Sequence, residues 1–253
     1  MTTVKTLILR APGTNCDWET AFAFEQAGSQ VDLVHINQLI KHDKVLSDYQ
    51  IMVIPGGFTY GDDISGGKLL ANETRLNLGD EMRDFIADGK LILGICNGLQ
   101  VLVKAGVLYG LKGENRYPLT LFSNDSGRFE CRWVYLQTSG DSPCVFTRGI
   151  EKMYLPIAHG EGKIVTESGI SNAAVYYADE KGHIDAGYPY NPNGSTDNIA
   201  GLCDDSGRVF ALMPHPERFI RWTQHPRWTR EPPSDVGDGF RIFKNAVDWA
   251  KAI

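Results

Sequence analysis

The sequence predicts an α/β fold: a doubly wound, mostly parallel sheet with helices on both faces and an antiparallel elaboration. Three observations carry that expectation. Strand-like and helix-like segments alternate from residue 4 to a helix that begins near Asn97. Three of those strands are almost continuously apolar, as strands covered on both faces are. The middle of the chain then changes to strands separated by turns rich in Gly, Asn and Asp.

VKTLIL at 4–9 reads as the first strand, followed by the turn RAPGTN. A helix is expected from Asp17 to about Ala27, where Trp18, Ala21, Phe22 and Phe24 form a broad apolar face. VDLVHI at 31–36 and YQIMVI at 49–54 are the second and third strands, the third stopping at PGG. A polar, glycine-bearing stretch leads to a helix over 76–88. KLILGI at 90–95 is the fourth strand. RFECRWVYLQ (128–137), EKMYLPIA (151–158) and AAVYYAD (173–179) read as strands that extend the main sheet rather than form a domain of their own. NIAGLCD and RVFALMP, joined by DDSG, suggest a hairpin, and the tail from Phe240 to Ala252 an amphipathic closing helix.

The chain has 253 residues and a net charge of −6, which argues against a nucleic-acid or anionic-membrane surface. No secretory leader is evident, and no stretch approaches the ~20 apolar residues of a membrane span. Cysteines stand at 16, 96, 131, 144 and 203 with no CxxC pair. That argues against a disulfide scaffold or structural zinc and fits a reducing cytoplasm.

In LILGICNGLQ (91–100), Cys96 lies between Gly94 and Gly98 just beyond a branched apolar run. One reading is a core strand ending in a turn with an inert buried thiol. The other is a nucleophile elbow, a side chain held on a strained strand-to-helix turn where the helix N-terminus favours a thiolate. A nucleophile needs a base and a group that orients it. Of six histidines, His35, His42, His183 and His225 suit strand-edge, surface or packing roles, whereas His159 and His215 each follow a strand end. In ALMPHPER, Pro214 and Pro216 restrict the backbone, and an extended segment puts His215 and Glu217 on one side. Glu217 then contacts one ring nitrogen while the other faces the thiol. The alternative is a proline-rich turn with a salt-bridged Arg218. PGG at 55–57 offers backbone N–H groups; Gly57, paired with the N–H of Asn97, is the expected oxyanion donor, with a plain tight turn as the other reading. Cys16 lacks flanking glycines and is expected near the site or in packing. Cys131 and Cys144 are expected to be structural thiols, and Cys203 a core residue. WTQHPRWTR at 222–230 is either an interface anchor or a loop folded onto its own core.

GICNGLQ, VIPGGFTYGDD and LMPHPER, together with APGTNCD, NDSGRFECRWV, PIAHGEG and NPNGSTDNIAG, span residues 11 to 218. In combination they resemble the class I, or triad, glutamine amidotransferases, and among these the glutaminase components of phosphoribosylformylglycinamidine synthases. APGTNCDW differs in detail from the commoner family wording, with Ala11 where an aromatic is more usual before PG. The resemblance implies a single amidotransferase domain over 1–253 in which Cys96 attacks the side-chain amide of L-glutamine, His215 transfers protons and Glu217 orients it. It implies that Gln100 positions the bound amino acid and that Phe58, Asn124, Ser126, Arg128, Phe129, His159 and Gly160 lie at or near the substrate. For Arg128 and Phe129 a salt bridge and a core or interface aromatic remain the alternatives. It further implies no metal and no cofactor on this chain. ATP and Mg2+ would belong to a large synthetase partner that uses the ammonia in de novo purine biosynthesis, joined in some members by a small bridging protein. The chain itself has no GxxxxGK[ST] loop. Two rival classes stand beside this: another thiol hydrolase on the same elbow, such as a peptidase or deglycase, and a non-catalytic binding protein, against which the intact Cys96, His215 and Glu217 argue.

Overall fold

The computed structural model describes residues 3–108, 119–166 and 172–253. Its centre is a nine-stranded sheet. In chain order the strands are β1 (Lys5–Arg10), β2 (Gln30–His35), β3 (Ile51–Ile54), β4 (Leu91–Ile95), β5 (Leu119–Phe122), β6 (Glu130–Thr138), β7 (Lys152–His159), β8 (Lys163–Thr166), β9 (Ala173–Ala178), β10 (Ile199–Cys203) and β11 (Val209–Leu212). The main sheet runs β2-β1-β3-β4-β11-β10-β9-β6-β7, and β5 pairs with β8 in a small separate ribbon. Its first five strands are mutually parallel. The rest is antiparallel.

This is the expected architecture. β3, β4 and β11 are buried at every position because helices cover both faces. On one face α1 (Asp17–Ala27) packs on α5 (Phe240–Ala250), with Phe24 and Phe243 meeting edge to face at 5.0 Å. On the other, α3 (Lys68–Ala87) packs on α4 (Asn97–Lys104). The middle segments add strands to the same sheet. In β6, Val134, Leu136 and Thr138 alternate inward, the period of a half-buried antiparallel strand. The hairpin also forms, with Leu202 opposite Ala211.

Four details differ from the sequence expectation. Helix α3 begins at Lys68 rather than 76, because Leu70, Ala71, Thr74, Leu78, Met82 and Phe85 make one continuous buried stripe. The polar NET within it obscures that period. Ile36 leaves the second strand: the Nδ1 of His35 accepts from the N–H of Asn37 and starts a short helix, α2 (Ile36–Ile40). The ribbon β5-β8 has no clear signal in the local pattern. Cys131 is exposed on β6, whereas Cys144 and Cys203 are buried.

The segment after Glu217 folds back onto its own protein. His225 stacks on Trp222 at 4.9 Å and packs against Trp133, Tyr154 and Phe219. Trp228 stays exposed. Among the described residues no helix is long and apolar enough to cross a membrane.

Candidate active site

Parallel α/β sheets open their binding crevice at the carboxyl ends of the strands, where neighbouring connections diverge. Here the ends of β3, β4 and β11 deliver Gly56–Gly57, Cys96 and His215 to one place. Cys96 connects β4 directly to α4 with φ 51° and ψ −103°, a conformation that a non-glycine residue adopts only under constraint. The constraint is visible in its neighbours. The Cys96 N–H is fixed on the carbonyl of Leu212 at 2.8 Å. A Cβ on Gly98 would stand 1.9 Å from the carbonyl oxygen of Ile54, and one on Gly94 would stand 2.7 Å from that of Gly98. The two glycines therefore let helix and strands close around the turn. The Cys96 thiol points toward the carbonyl of Ala158 at 3.7 Å and borders the pocket.

His215 follows β11, and its N–H donates to the carbonyl of Pro156 at 2.9 Å. Its side chain and that of Glu217 are both buried, with Nδ1 and Oε1 2.6 Å apart. The pair is not built by an extended chain, as the spacing alone would suggest. A single 3-10 turn, Pro216–Arg218, folds the carboxylate back under the ring. Burial acts to lower the imidazole pKa. The negative charge of Glu217 and the adjacent Cys96 and Cys16 thiols outweigh it, so His215 is held well above the usual histidine value. The Nε2 atom is buried without a hydrogen-bond partner of its own.

The pocket beside Cys96 has a volume of about 350 Å3. Of the residues singled out from sequence, Gly57, Phe58, Cys96, Gln100, Phe129, His159 and Gly160 line it. Phe58 and Phe129 stand exposed at its mouth, their ring centres 6.4 Å apart. Gly57 has φ 149° and lies against Gly13 and Thr14, so the end of β3 is braced by the turn after β1. Asn97 starts α4, where first-turn N–H groups have no acceptor within the helix. Its side chain accepts from Thr59 Oγ1 at 2.7 Å and donates to Asp62 and Gln100. Gln100 donates to the carbonyl of Glu161 at 2.6 Å.

The others lie outside the lining. Asn124 is buried and acts as a clamp: it donates to the carbonyls of Arg128 and His159, and its Oδ1 accepts from the N–H of Gly162 and faces His159 Nδ1 at 3.0 Å. Ser126 and Arg128 are exposed, and the Ser126 hydroxyl accepts from the N–H of Arg128. His159 is so buried, and so near the charge of His215, that its pKa falls to about 3; it is a neutral imidazole.

Sequence reasoning missed Asp62, Ile64, Ser65, Gly66 and Glu161, all of which line the pocket. Glu161 accepts from the N–H of Gly66 at 3.0 Å and pairs with Lys104, tying the 58–67 loop to α4. Burial pushes the Asp62 carboxyl up, and the charge of Glu161 adds to that rise. The GDD and HGEG stretches held the signal, but acids beside glycines read equally well as surface turns. Cys16, expected near the site or in packing, lies beside the His215–Glu217 pair.

Chemically, a thiol at a helix N-terminus, a buried imidazole with a carboxylate on its far nitrogen, and converging backbone donors can carry acyl transfer from an amide.

Comparison with known proteins agrees. The model of the CobB/CobQ-like glutamine amidotransferase domain matches residues 3–250. Phosphoribosylformylglycinamidine synthase subunit PurQ of Dehalococcoides mccartyi is 54% identical over 256 residues, covering 100% of both chains. PurQ of Methanococcus maripaludis is 42% identical over 265 residues, with 97% of each chain covered. Among solved structures, a chain of PurLQS from Thermotoga maritima superposes with a TM-score of 0.76 at 33% identity, over 98% of this chain and 99% of that one. A glutamine amidotransferase of Thermotoga maritima, at 16% identity and a TM-score of 0.53 over 90% of this chain and 81% of that one, shares the fold alone. Matched end to end at the level of both sequence and backbone, the chain belongs to the CobB/CobQ-like glutamine amidotransferases, within the line of PurQ subunits.

Proposed function

We propose that this chain is the glutaminase component of a phosphoribosylformylglycinamidine synthase, working as one amidotransferase domain over its length. The observation that carries the reading is the convergence of Cys96, held on a strained elbow, with the buried His215–Glu217 pair beside a pocket of amino-acid size.

The Cys96 thiolate attacks the carboxamide carbon of L-glutamine. The N–H groups of Gly57 and Asn97 receive the charge that develops on oxygen. His215, protonated and steadied by Glu217, gives its proton to the departing nitrogen. The C–N bond breaks and ammonia leaves, with the glutamyl group bound to sulfur as a thioester. A water enters, His215 takes its proton, and hydroxyl attack on the thioester releases glutamate and regenerates the thiolate. Gln100 and the loops bearing Phe58 and Gly160 shape the pocket around the amino-acid end of glutamine. Asn124 supports them from beneath.

The ammonia is passed to a large synthetase subunit that binds ATP and Mg2+ and converts formylglycinamide ribonucleotide into its amidine, in the cytoplasm, with a small third protein where one is used. Support comes from the whole-length likeness to PurQ subunits and to a chain of the PurLQS structure. Co-purification with that synthetase, followed by assay of glutamine-dependent amidine formation, tests the reading. Hydrolysis of short peptides or small aldehydes in preference to glutamine would replace it with the rival thiol hydrolase.

A further inference from the structure

The turn after β1 ends at Cys16, whose thiol no step above uses. It is buried, and its Sγ lies within 4.8 Å of a ring nitrogen of His215 and a carboxylate oxygen of Glu217. The imidazole of His215 lies beside it, and thiol and imidazole act on each other's protonation. On its other side, Arg218 Nη2 donates to Cys16 Sγ at 3.2 Å, while Arg218 Nε donates to Glu19 Oε1 at 2.9 Å. The thiol in turn donates to Asn15 Oδ1 at 3.2 Å. Burial pushes its pKa up, so it stays neutral. Its backbone N–H also holds the carbonyl of Gly56 at 3.1 Å, one residue before the expected oxyanion donor.

Glu217 uses Oε1 for His215, but its Oε2 is buried with no hydrogen-bond partner. Arg218 is the next residue, and its guanidinium feels the charge of Glu217. A guanidinium closing on a carboxylate forms strong, paired, charge-assisted hydrogen bonds. Closure here would draw off the charge that keeps His215 protonated. What the guanidinium holds instead is one acceptor on each flank, the sulfur of Cys16 and the carboxylate of Glu19.

We propose that Cys16 is a positioning residue of the triad: its thiol captures Arg218 and keeps the guanidinium off Glu217, leaving the carboxylate to His215. A neutral thiol does this without placing a second anion beside the nucleophile. The proposal rests on the triad reading of Cys96, His215 and Glu217.

The test uses the full chain and two readouts, glutamine hydrolysis and the rate at which the diazoketone analogue of glutamine captures Cys96. Cys16→Ala is expected to slow both by about tenfold or more, whereas Cys16→Ser, which retains an acceptor, stays within about threefold of wild type. Arg218→Met alone is near wild type. The decisive variant is the double one: with the guanidinium gone, Cys16→Ala with Arg218→Met returns to within about threefold of wild type. A merely structural role for Cys16 predicts no such recovery. Cys16→Ala at the wild-type rate, or a double variant as slow as the single, overturns the proposal. Should Cys16→Ala fail to fold, Glu19→Ala, which removes the acceptor, frees the same guanidinium from its other side. It is expected to slow capture several-fold and to recover with Arg218→Met, and an unaffected Glu19→Ala overturns the proposal equally. A Cys96→Ala control that keeps full activity would instead remove the triad reading itself, so the two failures are distinguishable.

Discussion

At the scale of single residues, the proposed chemistry rests on three side chains, and one neutral histidine bears a pH signature. Cys96→Ala is expected to lower glutaminase activity by roughly 10^4-fold or more and to abolish covalent capture, with folding largely retained. Intact-mass analysis after labelling checks it, and modification of Cys16 with Cys96 untouched would contradict the assignment. His215→Ala should cost about as much, whereas Glu217→Gln retains part of the activity because the base remains. Steady-state rates with a circular-dichroism control decide, and a wild-type rate in either folded variant removes that residue from the triad. His159 has a pKa of about 3 in the folded chain, against an ordinary value of 6.5. Between those values the unfolded chain binds the extra proton, so stability is present above the ordinary value and is lost as pH falls toward about 3. His159→Gln should therefore flatten the loss of urea resistance between about pH 7 and about pH 4.5. An unchanged slope would show that other groups dominate the acid limb.

At the scale of elements, the elbow is a packing problem as much as a chemical one. α4 can start immediately after Cys96 only because the Gly98 position touches the end of β3; a Cβ there meets the Ile54 carbonyl at 1.9 Å, and backbone cannot step aside as a flexible side chain can. Gly98→Ala is expected to destabilise the fold by about 1–3 kcal/mol or more and to reduce Cys96 capture out of proportion to that loss. Urea unfolding alongside labelling kinetics measures both. Unaltered labelling in a folded variant would mean that the elbow does not depend on this contact. The turn Pro216–Arg218 is the second such element, because it brings Glu217 beneath His215 within three residues.

At the scale of the whole molecule, the pocket opens to solvent through a mouth bearing exposed Phe58, Phe129 and Ile64. An isolated glutaminase with this mouth would lose ammonia to water. We expect weak glutamate release from the chain alone and strong stimulation by the synthetase with its nucleotide ligands. The physical reason is that assembly closes the exit and tightens the oxyanion donors together. Glutamate release per active subunit, with and without purified synthetase over a range of concentrations, is the measurement. Full, partner-independent activity would refute the gating while leaving the Cys96 chemistry in place.

By itself the sequence determined the layered α/β order, the position of the strand-to-helix turn at Cys96 and the pairing of His215 with Glu217, because those depend on short-range rules. Continuous apolar runs mark doubly covered strands, glycines flank a strained turn, and prolines restrict the backbone around His215. Only the tertiary structure decided that β5 and β8 pair apart from the main sheet, that α3 begins at Lys68 and that Trp222 turns inward on His225 while Trp228 stays exposed. The same holds for the pocket floor and for Cys16. Asp62, Glu161 and Lys104 come from three separate segments, and Cys16 meets Arg218 across 202 positions of chain. Such contacts leave no local periodicity or spacing to read. They arise when parallel strands distant in sequence end side by side and their loops compete for the same space.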